Sequence, residues 1–191
     1  MRTRYDDHNG DFSSRAHEAA RRWIYPLLFD AAPELLSYED YTAWDKESVR
    51  QVDGQLGIDR VVGVQAPGLS APVRFTVQER FRRASYSAYR DITITEHNHN
   101  TGRPSELHKI AAGMMLYACY DEAADCFLRP IAINVPSLLL AVACNTISYT
   151  RNSNNKGQSF LIFGYEQLYE AGCVIWAAER AGADMRAAAT M

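Results

Sequence analysis

The apolar positions of this chain recur with two periods, which divide it into helical and extended stretches. Ala16, Ala20, Trp23 and Leu27 fall at helical spacing, and Ser14 stands where an N-cap belongs. The spacing predicts a helix from Ser14 to about Phe29. Phe75, Val77 and Phe81 alternate with Thr76, Gln78, Arg80 and Arg82, which predicts a strand from Phe75 to Arg83 with two chemically distinct faces. Ile92 and Ile94 alternate with Asp91, Thr93 and Thr95 in another such strand. Mostly apolar runs at Met114 to Tyr120, Phe127 to Asn134 and Ser159 to Phe163 read as further strands.

Turn and cap residues fill in the rest. Asp53-Gly54 predicts a hairpin over Val49 to Val64. Pro33 with Tyr38, Tyr41 and Trp44 suggests a short second helix or an ordered loop. Gln65 to Pro72, His97 to Pro104 and the Asn-rich Thr150 to Gly157 read as loops. Ser105 can cap a helix from Glu106 to about Ala112, Ser137 can open one to Cys144, and another lies near Tyr165 to Ala171. The Ala-rich tail from Val174 has helical propensity, with fraying after Gly182. The order predicts an α/β fold, a mixed central β-sheet flanked by helices. No Gly-rich nucleotide loop follows any strand. The 191 residues suit one domain, 1–191, with loose ends at 1–12 and 183–191.

Composition narrows the function classes. Hydrophobic content of 47% and charged content of 23% are ordinary for a soluble protein. No apolar run approaches the roughly 18 residues that span a bilayer, and the start lacks a signal-peptide segment, so the reading is a cytoplasmic protein. Cys119, Cys126, Cys144 and Cys173 form no CxxC pair and read as reduced thiols. With a net charge of −3, nucleic-acid binding needs a local cationic patch. Arg74, Arg80, Arg82, Arg83 and Arg90 are the candidates; an arginine-rich, solvated strand edge is the alternative. Lys109 and His108 could touch phosphate or simply form a solvated helix face.

The chemistry-bearing pattern is an acid followed by a polar-x-cation triplet. Asp59 interrupts the apolar strand Ile58 to Val64, as a metal ligand or as half of an ion pair. Gln78 and Arg80, at i and i+2, project from one strand face, while alternation groups Glu79 with Val77. A hard cation takes oxygen ligands, and a glutamine carbonyl can be one. Such a cation polarises a phosphate and lowers the pKa of bound water. An arginine alongside serves electrostatically, because it stays protonated. Glu18 reads as a helix carboxylate that could pair with Arg22, and Asp53 as a turn former. His97 and His99 form a close pair in a polar loop with no third ligand in view.

Asp59 in Gly57-Ile58-Asp59 and the triplet Gln78-Glu79-Arg80 resemble the PD-(D/E)xK nuclease superfamily, in a divergent form of phage and mobile-element type. The surrounding order, with Glu18 on the first helix and a helix then strand from Glu106 to Tyr120, is similar too. The resemblance implies a restriction-endonuclease-like fold and Mg²⁺- or Mn²⁺-dependent cleavage of DNA phosphodiesters. By position, it makes Asp59, Gln78, Arg80 and Glu18 the catalytic set. Asp59 and Gln78, with Glu79 as a further source of charge, would hold the metal, and Arg82, Arg83 and Lys109 would meet DNA. Gln78 stands where the superfamily has an acid and Arg80 where it has a lysine. The resemblance also admits a homodimer. Two other readings keep their place: a catalytically decayed nuclease fold that binds nucleic acid, and a protein-interaction domain.

Overall fold

The computed structural model describes residues 4–39, 56–100 and 105–182, with side chains from Gly10 onward in the first stretch. The chain forms a mixed α/β fold around a central sheet. Helix α1 (Arg4–Trp23) begins well before Ser14, so the stretch read as a loose end is helical from Arg4, and Ser14 lies within the helix rather than at its cap. Phe12 explains the extension: it is buried, and its ring centroid lies 6.0 Å from that of Tyr120. Ala16, Ala19 and Ala20 are fully buried, so small side chains let α1 lie close to the sheet. A short helix α2 (Tyr25–Leu28) follows, with Pro26 in its first turn.

Pro33–Leu35 forms a single 3₁₀ turn and leads into strand β1 (Leu36–Glu39). Strand β1 pairs antiparallel with β2 (Arg60–Val64), which pairs antiparallel with β3 (Val73–Arg83). The Asp53-Gly54 turn, Tyr41 and Trp44 lie outside the described residues. Strand β4 (Asp91–Asn98) leaves the central sheet, and helix α3 (Glu106–Lys109) is one turn long, shorter than the run to Ala112 that its cap suggested. Strand β5 (Met114–Asp121) then lies parallel to β3, with Gln78 beside Met115 and Arg80 beside Tyr117. A parallel partner needs a crossover, and β4 with α3 supplies it.

Strand β6 (Cys126–Asn134) pairs antiparallel with β5, and helix α4 (Val135–Ala143) is capped by the Asn134 side chain, which accepts from Ser137 N. Thr150–Ser153, read as loop, is strand β7. It pairs with β8 (Gln158–Gly164), whose other edge takes β4. After helix α5 (Tyr165–Glu170), the tail read as helical forms strands β9 (Val174–Ala177) and β10 (Arg180–Ala181), both on β6. The open edge of β6 overrides alanine propensity there, and Val174 and Trp176 suit a strand.

Two apolar layers cover the central sheet. Helices α1 and α2 cover Val77, Leu116 and Ala118; the β4–β8–β7 sheet and α4 cover Met115, Tyr117, Ile131 and Ile133. The alternation along β3 assigns its residues to the two sides as its pattern predicts. No helix among the described residues is long and apolar enough to cross a membrane.

Candidate functional site

The site grows from a mismatch in strand length. Pairing between β2 and β3 ends at Arg60 and Val77, while β3 continues to Arg83 against β5. The amide of Glu79 therefore passes beyond the β2 ladder, and a side chain takes it. Asp59, one residue before β2, donates its own amide to Val77 O at 2.9 Å. Its Oδ2 accepts from Glu79 N at 2.7 Å and from Gln78 Nε2 at 2.7 Å. An anion accepting such bonds makes a strong, charge-assisted pair. Gly57, at φ +57°, turns the chain just upstream; a Cβ there would stand 3.1 Å from Gln78 Oε1.

Arg80 projects from the same face as Gln78. Its Nη2 lies 2.5 Å from Oε1 of Glu106, at the start of α3. Glu106 is buried, and its Oε2 also accepts from Thr95 N at 3.2 Å. This carboxylate was not singled out by the pattern, where it reads as an ordinary first-turn helix acid. The structure makes it the electrostatic partner of Arg80.

Glu79 faces the other way, as alternation requires. Its side chain is wholly buried beneath α1 and α2. His17 Nδ1 meets Oε2 at 2.5 Å, Tyr25 Oη donates to Oε1 at 2.5 Å, and Arg60 Nε donates to Oε2 at 3.2 Å. Burial alone would push the Glu79 carboxyl up. The His17 hydrogen bond and the Arg60 charge outweigh it and hold the group below its ordinary range. Burial, reinforced by the Glu79 charge, pushes the Tyr25 phenol far up. His17 carried no signal in the pattern, because one histidine at the margin of a helix's apolar stripe looks like any solvated residue.

The structure thus brings Asp59 and Gln78 into contact, with Arg80 on the same face. It does not bring Glu18 or the Glu79 carboxylate to them. Glu18 is exposed on α1, with Arg21 Nη1 3.9 Å away, in the layer on the far side of the sheet. Glu79 meets Asp59 through its amide, while its carboxylate lies with His17, Tyr25 and Arg60. Arg82 stays with the Gln78 face, pairing with Asp91 at 3.1 Å and lying over the Tyr117 ring at 5.1 Å. Arg83 takes the α1 face, pairing with Glu122 at 2.8 Å and lying over Phe12 at 4.4 Å. Arg74 pairs with Glu39 at 3.0 Å and Arg90 with Glu179 at 3.4 Å, so every member of the arginine cluster meets an acid from this same chain. Lys109 is half-buried on α3.

For a divalent cation, the donors here are the Asp59 carboxylate and the Gln78 carbonyl. The Gln78 amide presents Nε2 to Asp59 and Oε1 to Gly57, so it must turn over for both oxygens to share an ion. An all-oxygen pair suits a hard cation once that turn is made. No group of three or more His, Cys, Asp and Glu that could hold a metal occurs among the described residues.

No family model and no curated protein matches the chain. Among solved structures, it is similar to a nuclease from a fusselovirus, with a TM-score of 0.35 and 13% identity over 90% of this chain and 93% of that one. A likeness of that size leaves the functional reading to the residues of the site.

Proposed function

We infer that the chain is a nuclease-type protein that engages DNA phosphodiesters at the edge of β3, with Mg²⁺ or Mn²⁺ between Asp59 and Gln78. The observation that carries this reading is the direct contact of Asp59 with Gln78, with Arg80 two residues along on the same face. When bound, the cation would polarise the phosphate and acidify a water molecule. The chain's own residues do the rest. Asp59 supplies the fixed negative charge, held in place by the Glu79 amide. Gln78 supplies a neutral oxygen. Arg80 offers a permanent positive charge to the phosphate, which must compete for it with Glu106. The test is cleavage of plasmid and single-stranded DNA in Mg²⁺ or Mn²⁺ by the native chain and by Asp59→Ala. Metal-dependent cleavage by the native chain alone supports the reading; equal activity in both removes Asp59 from the mechanism.

A second reading rests on its own observation. The Asp59 oxygen already holds two N–H donors, and the arginines from Arg74 to Arg90 are ion-paired within the chain. Those contacts suit a catalytically decayed nuclease fold that serves as a nucleic-acid-binding or protein-interaction module. Salt-dependent DNA binding without cleavage favours the nucleic-acid form, and no DNA affinity at low salt leaves the protein-interaction form.

A further inference from the structure

A cavity of about 510 Å³ lies among β6, the β9–β10 turn and the start of α5, and takes no part in the site above. Two guanidiniums line it, from Arg90 and Arg129. Arg129 sits at a bulge in β6: the register with β5 shifts between Ile131 opposite Tyr117 and Leu128 opposite Cys119. Its backbone has φ +50°, in the left-handed region that a residue with a Cβ adopts at a cost of roughly 1 kcal/mol or more. The surroundings hold it there. Arg129 N donates to Glu179 O at 2.8 Å, Tyr165 Oη donates to Arg129 O at 2.9 Å, and Arg129 Nη1 donates to Ser87 O. Bulges re-aim side chains, and this one turns a guanidinium into the cavity wall.

One carboxylate bridges the two arginines. Glu179 Oε1 lies 3.4 Å from Arg90 Nη2, and Oε2 lies 3.5 Å from Arg129 Nε. Well-formed guanidinium–carboxylate bonds measure about 2.7–2.9 Å, so one two-oxygen group spans this gap poorly. Glu179 is also 77% exposed, which leaves its side chain free to swing into solvent. A tetrahedral anion with three terminal oxygens could reach both guanidiniums at short distance. Tyr165 and the exposed Tyr169 line the same cavity and offer flat apolar surface beside it. The other acid in the lining, Glu166, is exposed.

We propose that this cavity binds a phosphate monoester, whose phosphate displaces the Glu179 carboxylate from Arg90 and Arg129 while the rest of the ligand lies against Tyr165 and Tyr169. The volume suits a mononucleotide. The same chemistry is offered by a free nucleotide and by the terminal phosphate of a nucleic-acid strand. The site stands independently of the reading of Asp59 and Gln78.

The test is calorimetric titration of the full chain with inorganic phosphate, a nucleoside 5′-monophosphate, and one short oligonucleotide bearing either a 5′-phosphate or a 5′-hydroxyl. Binding of at least one monoester is the expected result, and any binding of the 5′-hydroxyl strand is expected to be insensitive to Arg90→Ala, because its phosphodiesters meet only the Asp59–Gln78 face. The tighter of the two esters identifies the source. Arg90→Ala, at a 62% exposed side chain, is expected to weaken binding about tenfold or more. Glu179→Gln, which removes the competing charge, is expected to strengthen it several-fold. Circular dichroism checks that each variant folds. The proposal is overturned if no ester binds, if Arg90→Ala weakens the 5′-hydroxyl strand as much as the esters, or if both Arg90→Ala and Glu179→Gln leave ester affinity unaltered.

Discussion

Gln78 reaches Asp59 with its amide nitrogen, 2.7 Å from Oδ2, and keeps its oxygen on the side of Gly57. The backbone explains the geometry. Asp59 stands one residue before β2, where the ladder to β3 runs out, and its carboxylate takes over as partner to the next β3 amide. The same residue finishes a sheet edge and places a negative charge beside the Gln78–Arg80 face.

Gly57 is the hinge of that arrangement. Its φ of +57° disfavours any side chain, and a Cβ would stand 3.1 Å from Gln78 Oε1 and 3.3 Å from Ile110 Cα. Gly57→Ala is expected to cost about 1–2 kcal/mol in chemical denaturation. It is also expected to move the Gln78 side-chain amide resonances in NMR spectra. An unchanged midpoint with unchanged Gln78 resonances would contradict the assigned turn.

Glu79 is an acid whose role is structural. Its folded pKa lies below the free value of 4.5, so its contribution to stability is present in full above that value and fades as pH falls through the folded pKa. The native chain is expected to lose stability on acidification below pH 4.5. Glu79→Gln removes the partner of Arg60 and His17 and is expected to cost roughly 3 kcal/mol near neutrality, with a flatter acid limb. Urea midpoints measured across the acid range check both. A variant as stable as the native chain at pH 7 would contradict the buried ion pair.

Arg80 and Glu106 form a coupled pair. Arg80→Met leaves a buried carboxylate without its cation, and about 2 kcal/mol of destabilisation is expected. Adding Glu106→Gln is expected to restore part of that loss, because the stranded charge goes too. A double-mutant cycle reads the coupling directly. Strict additivity would mean that the two groups do not interact in solution.

The two sides of β3 are legible in the sequence because Phe75, Val77 and Phe81 all pack into the layer under α1 and α2, and a period of two survives wherever a face is buried. The nearness of Asp59 to Gln78 was legible for a related reason: adjacent antiparallel strands pair in register. The tail from Val174 reads as helical because its alanines outweigh Val174-Ile175-Trp176, and only the open edge of β6, which no local pattern shows, makes it strand. His17 and Glu106 were missed on different grounds. Both partners lie on β3, Glu79 at 62 residues from His17 and Arg80 across an ion pair from Glu106, and no local spacing encodes such a meeting. The departure of β4 to a second sheet was equally hidden, because its alternating pattern fits a strand in either sheet.

A cation shared by Asp59 and Gln78 would be seen in a crystal soaked with Mn²⁺ and measured for anomalous scattering. A peak is expected between the Asp59 carboxylate and Gln78, with the amide turned so that Oε1 faces the ion. No peak in the Mn²⁺-soaked crystal, with Nε2 still donating to Asp59, would contradict it.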